Sequence, residues 1–193
     1  MKKAWIALVV IVVVVLIFFG MYISSRNQMV RKNEAVKSDW AQVDVVLERR
    51  ADLIPNLVAT VKGIAAQEVT VFTAIANARA NLMNAQNPKD KIAANQQLDG
   101  ALAKVLALTE NYPQLRSNES FLRLQDELAG TENRIAVERK RYDDAIQDYN
   151  TFIATFPNSM FAGWAGFQRN DAYFAATPAS RAVPQVEFPS AKP

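Results

Sequence analysis

Residues 4–23 read AWIALVVIVVVVLIFFGMYI, twenty consecutive positions without a charged side chain. At about 1.5 Å of rise per residue they make about 30 Å of helix, the hydrocarbon thickness of a bilayer. No other feature limits the fold as strongly. A lone segment in lipid satisfies its backbone hydrogen bonds only as a helix. Trp5 and Tyr22 stand near its two ends, where aromatic rings favour the interface. Lys2 and Lys3 precede the run, and Arg26, Arg31 and Lys32 follow it, so basic side chains that attract anionic headgroups flank both ends. A Lys-Lys start also fits a cleaved signal, but the run exceeds the roughly 7–15 apolar residues usual there, and no A-x-A-like site follows. The sequence predicts a retained membrane anchor over residues 1–23.

Counting Lys and Arg near the ends gives two before the anchor and four after it, which nominally places the body in the cytoplasm. Long domains translocate largely regardless of charge, and the short Met-Lys-Lys head resembles a signal-anchor start. The expectation is a single pass through the membrane with the body outside the cytoplasm.

The chain holds 193 residues with no cysteine and no histidine, which excludes disulfides and thiolate metal sites. It also removes the usual general base near neutral pH and the commonest metal ligand. The net charge is +3, yet from Ser38 onward 16 basic residues face 18 acidic ones, a net of −2. The body therefore lacks the electrostatic footprint of a nucleic-acid binder. No Walker sequence, nucleophile elbow or zinc spacing occurs. The sequence predicts no enzymatic activity and no cofactor.

Between residues 24 and 156, Pro55, Pro88 and Pro113 are the only prolines, and they cut the region into four helix-length pieces. ERRADLIPNLV, residues 48–58, reads as a stop followed by a start. Arg49 and Arg50 suit the carbonyl end of one helix, Asp52 can cap the next, and Pro55 falls in its first turn. The rival reading is one long helix kinked at Pro55. In the second piece the stripe Leu57, Val61, Ile64, Val71, Ile75, Ala78, Leu82 is interrupted by Glu68. Asn87 before Pro88 is a good N-cap and first-turn pair for the third. The fourth, about residues 118–156, repeats Phe121, Leu128, Ile135, Tyr142, Tyr149 and Phe156 every seven residues. Such a repeat predicts shallow-angle packing, as in coiled coils and long bundles. The expected fold is all-α: the N-terminal transmembrane helix, then an elongated antiparallel four-helix bundle over residues 24–156. An aromatic membrane-proximal segment (157–177) and a proline-rich extended tail (178–193) follow.

At this point a resemblance enters. VKSDWAQVDVVLERRADLIPNLVATVKGIAAQE, residues 36–68, resembles the signature of the LemA family of bacterial membrane-anchored proteins. LRSNESFLRLQDELAGTENRIAVERKRYDDAIQDYN, residues 115–150, resembles that family's second block, and FPNSMFAGWAGFQRNDAYF, residues 156–174, its aromatic end segment. With the anchor, the similarity covers nearly the whole chain. It implies an antiparallel helical bundle behind one transmembrane helix, with no established enzymatic activity.

Polar residues on the apolar seams are the candidates for a site. Arg50 and Glu68 lie on stripes of consecutive helices, Thr131 and Glu138 interrupt the fourth, and Glu132 and Arg134 lie beside them. With Asp52 they form either a buried polar network that fixes helix register or an acidic/basic binding cluster. Phe156, Phe161, Trp164, Phe167, Tyr173 and Phe174 crowd the aromatic segment, which would meet the headgroups, cap the bundle or pack on another subunit. The reading taken is a membrane-anchored scaffold whose bundle mediates self-assembly or partner recruitment. Its expected partners are membrane lipid, copies of itself and other membrane or envelope proteins, not nucleic acid. Two other readings stand beside it: a membrane-shaping protein acting through the aromatic segment, and a binding module or cryptic hydrolase using Arg50, Asp52, Glu68, Glu132 and Glu138.

Overall fold

In the computed structural model, residues 2–174 are described; the tail predicted at 178–193 lies outside them. Among the described residues the chain forms six helices and no strand. Helix α1 (Lys2–Lys62) runs 61 residues without interruption, about 90 Å by helix rise. It is the apolar span and the first body helix in one piece. Helices α2 (Val69–Asn84) and α3 (Pro88–Asn111) form a hairpin beside its distal part. The short α4 (Pro113–Arg116) turns the corner into α5 (Glu119–Ala154), which returns antiparallel along α1. Helix α6 (Asn158–Ala165) ends the fold beside the anchor.

The stop-and-start expected at ERRADLIP is not there. Pro55 lacks an N–H, so the carbonyl of Ala51 loses its intrahelical partner. Arg79 of α2 donates its Nε to that oxygen at 2.8 Å, replacing the lost bond. The buried face continues through the proline as Leu47, Arg50, Ala51, Ile54, Leu57 and Val61, while Pro55 itself faces solvent. Asp52 is therefore exposed mid-helix and caps nothing. The true corner is residues 63–68, where Ala65 N–H bonds to Val61 O at 2.8 Å and Glu68 N–H to Ala65 O at 3.1 Å. Glu68 thus sits at a turn, not within a helical stripe.

The caps of α3 and α5 follow from their sequences. Asn87 Oδ1 accepts from Asp90 N–H at 2.9 Å, with Pro88 in the first turn. Asn118 Oδ1 accepts from Phe121 N–H at 2.9 Å. Along α5, Phe121, Leu128, Ile135, Tyr142 and Tyr149 are all buried. Burial of each such side chain is worth about 1.5–3 kcal/mol. The sixth heptad position departs from the pattern: α5 stops at Ala154, and Phe156 is 79% exposed.

Three contacts fix the register of α1 against α5, and one ties α1 to α6. Ser25 Oγ donates to Asn158 Oδ1 at 2.7 Å, and Lys32 pairs with Asp148 at 2.5 Å. Trp40 stacks on Tyr142 with centroids 5.1 Å apart, and Arg50 meets Glu132 at 2.9 Å.

Candidate functional site

Arg50 lies two-thirds of the way along α1 from the span's outer end to Lys62, and only 5% of its surface is exposed. Its Nη1 lies 2.6 Å from Asp99 Oδ1 on α3, 2.9 Å from Glu132 Oε2 on α5 and 3.1 Å from Asn95 Oδ1 on α3. One guanidinium thus ties three helices together. Both carboxylates keep access to solvent, and two acids against one base leave the cluster one negative charge in excess.

The same side chains also border a space between α3 and α5. Between them opens a groove of about 540 Å³, floored by Leu57 and walled by Leu102, Val105, Leu106 and Leu128, with Arg50, Asp99 and Glu132 at one end. Its walls are apolar, and Leu106 is 42% exposed. Such a surface can receive an apolar segment beside a charged edge.

The other predicted polar residues stand apart from this cluster. Asp52 lies 4.0 Å from Arg79 Nη2. Glu68 accepts a 2.9 Å bond from Tyr112 Oη, tying the α1–α2 turn to the α3–α4 corner. That bond, then burial, holds the Tyr112 hydroxyl above its usual pKa. Glu138 pairs with its own helix neighbour Arg141 at 3.1 Å. Arg134 is exposed, and Thr131 is satisfied by Leu128 O at 2.8 Å. Asn95 and Asp99 went unnoticed in the sequence. Their signal was a polar pair four residues apart on α3, on either side of Leu98. Among the described residues no group of three or more His, Cys, Asp or Glu side chains could hold a metal ion.

The aromatic segment divides in two. At the anchor, Phe161 is buried with its ring 5.3 Å from Phe18 and 5.6 Å from Tyr22, and Trp164 lies 6.3 Å from Phe18. Gly166, at φ 75°, ends α6 in a left-handed turn that a side chain would strain. The chain then climbs back along α5. Tyr149 Oη donates to Gln168 O at 2.8 Å, and Asn150 exchanges bonds of 2.7 and 2.9 Å with the Asn170 backbone. Phe174 N–H reaches Asp143 Oδ1 at 3.0 Å, and its ring lies 4.6 Å beneath Arg139. Phe167, Tyr173 and Phe174 thus pack on the helical body, whereas Phe156 and Trp164 stay exposed. Of the basic flank after the span, Lys32 is engaged by Asp148 and the Phe152 ring, and Arg26 and Arg31 remain exposed.

Among the described residues, one apolar helix prolonged into a helical body is the build of a single-pass membrane protein. Residues 39–188 match the family model of the LemA family, and the chain belongs to that family. It is 26% identical over 198 residues to magnetosome protein MamQ 2 of Paramagnetospirillum magneticum, covering 89% of this chain and 72% of that protein. With magnetosome protein MamQ of Magnetospirillum gryphiswaldense it shares 26% over 179 residues, 79% of this chain and 65% of the relative. With protein LemA of Metamycoplasma hominis it shares 21% over 141 residues, 72% and 64% of the two chains.

Proposed function

We propose that this protein is a non-enzymatic scaffold, its body on the extracytoplasmic side of the bacterial inner membrane, that assembles with copies of itself through the α3–α5 groove. The observation that carries this reading is the unbroken α1. Because the helix passes from the lipid span to Lys62 in one piece, the groove beside Arg50 and Leu57 stands at a fixed height. From the span's end at Ile23 that height is about 40–50 Å. Every copy anchored in the same membrane presents the groove at the same level, and confinement to a plane raises the effective concentration of one copy for another. An apolar groove that no part of the described chain fills suits such an occupant.

The test is the mass of the full chain in polymer-extracted membrane discs. Dimers or larger assemblies are expected for the wild type, and monomers for Leu106→Asp. A wild type that stays monomeric at high membrane density overturns the reading, as does an assembly that Leu106→Asp leaves intact. Since the chain has no cysteine, Asp126→Cys gives a single thiol, and its reaction with a membrane-impermeant maleimide on intact cells reads the side of the body.

A further inference from the structure

The strongest unexplained feature is the outer face of α6. Met160 and Trp164 stand four residues apart on it and are 43% and 65% exposed, Phe156 just before the helix is 79% exposed, and the opposite face, Phe161 and Ala162, is buried. In water this eight-residue helix would be costly, since two of its three large apolar side chains, Met160 and Trp164, stay exposed. These side chains are not placed at random. Phe161 and Trp164 rest on Phe18, five residues inside the outer end of the anchor's charge-free run, a depth of about 8 Å by helix rise.

Two further observations agree. Residues 149–168 contain no charged side chain, so the end of α5, the whole of α6 and its exit turn form a second charge-free stretch of 20 residues beside the first. The polar belt begins just above them, with Lys32 paired to Asp148 and Arg169 paired to Asp171 at 2.7 Å. Between the anchor and α6 lies an apolar cleft of about 430 Å³ lined by Val14, Val15, Phe18, Phe19, Tyr22 and Trp164. These are side chains of the lipid span, apart from Trp164, so the cleft opens at the level of acyl chains.

We infer that α6 dips into the membrane: descending antiparallel to the anchor from Ser25 to Phe18, it places Met160 and Trp164 in the leaflet that holds the outer part of the anchor, and a phospholipid acyl chain fills the cleft beneath Trp164. Met160 and Trp164 then meet headgroups and acyl chains instead of water, a boundary that aromatic rings favour. The consequence is a second foot. A single anchor leaves the rod free to rotate about the membrane normal and to tilt, and a short helix held against lipid on one side of it removes that freedom. This holds whether or not the groove joins copies together.

The experiment uses the full chain in phosphatidylcholine/phosphatidylglycerol vesicles. Nitroxide labels are attached at Met160→Cys or, in a second variant, Trp164→Cys. Ile17→Cys marks lipid and Asp126→Cys marks water. Collision with oxygen and with a water-soluble nickel chelate is then measured, with helix content confirming the fold of each variant. The expected result is that the label at 164 behaves like the label at 17, open to oxygen and at least tenfold less accessible to nickel than the label at 126, with the label at 160 between those two. Nickel accessibility equal to that at 126 places α6 in water and overturns the inference. Low accessibility to both reagents places these side chains against another protein surface and also overturns it. Neither result bears on the mass measurement with Leu106→Asp, so failure here and failure of groove assembly are separable.

Discussion

Arg79 donates its Nε to the main-chain oxygen of Ala51 at 2.8 Å, and Ala51 is the residue whose carbonyl Pro55 leaves without a partner. The proline and the arginine therefore act as one device. The proline opens a carbonyl on α1, and the arginine uses it to dock α2. Arg79→Met should cost about 1–2 kcal/mol, the range for a charged donor discounted for partial exposure. In Pro55→Ala the restored N–H takes back the carbonyl, so the same arginine substitution should then cost less than about 0.5 kcal/mol. Urea unfolding of the four proteins of this cycle measures the difference. Equal costs in both backgrounds would show that the Arg79 contact is unrelated to the proline.

This pair also shows how far the sequence could be read. The heptad of α5 and the Asn87–Pro88 cap were legible because each is written within a few residues. Continuity through Pro55 was not, because the compensating donor is 28 residues from Ala51 in the chain. The corner at 63–68 was hidden for another reason: the apolar stripe steps from Ile64 to Val71, a spacing that reads as uninterrupted helix. Arg50 and Glu132 stood out as charges on or beside apolar seams. Their partners Asn95 and Asp99 did not, because α3 has the least regular pattern and its facing helix had to be known first. Phe156 kept the heptad in sequence and lost it in space once α5 ended at Ala154.

Tyr142 is fully buried, and its hydroxyl has no hydrogen-bond partner among the described residues. Burial, and secondarily the nearby Asp143, pushes its pKa up to about 12. The unfolded chain ionises this phenol near its ordinary value of 10.0, while the folded chain keeps the proton until about 12. Stability from this group is therefore whole below pH 10 and is lost as pH rises towards 12. Tyr142→Phe should remove that alkaline loss. At neutral pH it should raise stability by about 1 kcal/mol, because it deletes an unsatisfied buried hydroxyl. Thermal unfolding at pH 7 and across pH 9.5–11.5 checks both effects. A Phe variant that is less stable at pH 7 would mean the hydroxyl is satisfied by water.

Asp143 titrates in the same sense at the acid end. Burial raises its pKa, against the lowering effects of the Phe174 N–H bond and Arg139. A carboxyl raised in the folded state binds its proton before the unfolded chain does, so stability falls as pH rises through that window, just above the ordinary value of 3.8. Asp143→Asn keeps an acceptor for Phe174 and removes the titration. Its stability should be flatter than the wild type's as pH rises above the ordinary carboxylate value of 3.8. Denaturation midpoints at half-unit pH steps test this, and parallel curves would refute it.

Asn150 fastens the segment that returns from α6. Its side-chain amide bonds the Asn170 backbone in both directions and also donates to Tyr173 Oη at 3.0 Å. Asn150→Leu fills the same space without those groups, leaving the Asn170 N–H and C=O unmatched. The loss should be about 2 kcal/mol, most of it local. Hydrogen exchange of residues 168–174 should accelerate at least tenfold while α1 and α5 exchange as before. Uniform acceleration throughout the body would assign Asn150 to the core in general.

Arg50 offers the last comparison, because its cluster can be dismantled from either side. Arg50→Met leaves Asp99 and Glu132 facing each other, with Asn95 buried and short of a donor. Removing one partner of a fully buried pair costs about 3–5 kcal/mol, but these carboxylates reach solvent, so about 2–3 kcal/mol is expected. Asp99→Asn with Glu132→Gln in the Arg50→Met background removes the repulsion and should recover at least half of the loss. Added salt should narrow the gap between Arg50→Met and wild type only slightly, because the guanidinium is shielded from counterions. Unfolding in urea at 0.05 and 0.5 M NaCl makes the measurement. If the triple variant is no more stable than Arg50→Met, the arginine acts through packing of its stem against Leu57 and its neighbours, and the two acids are incidental to the fold.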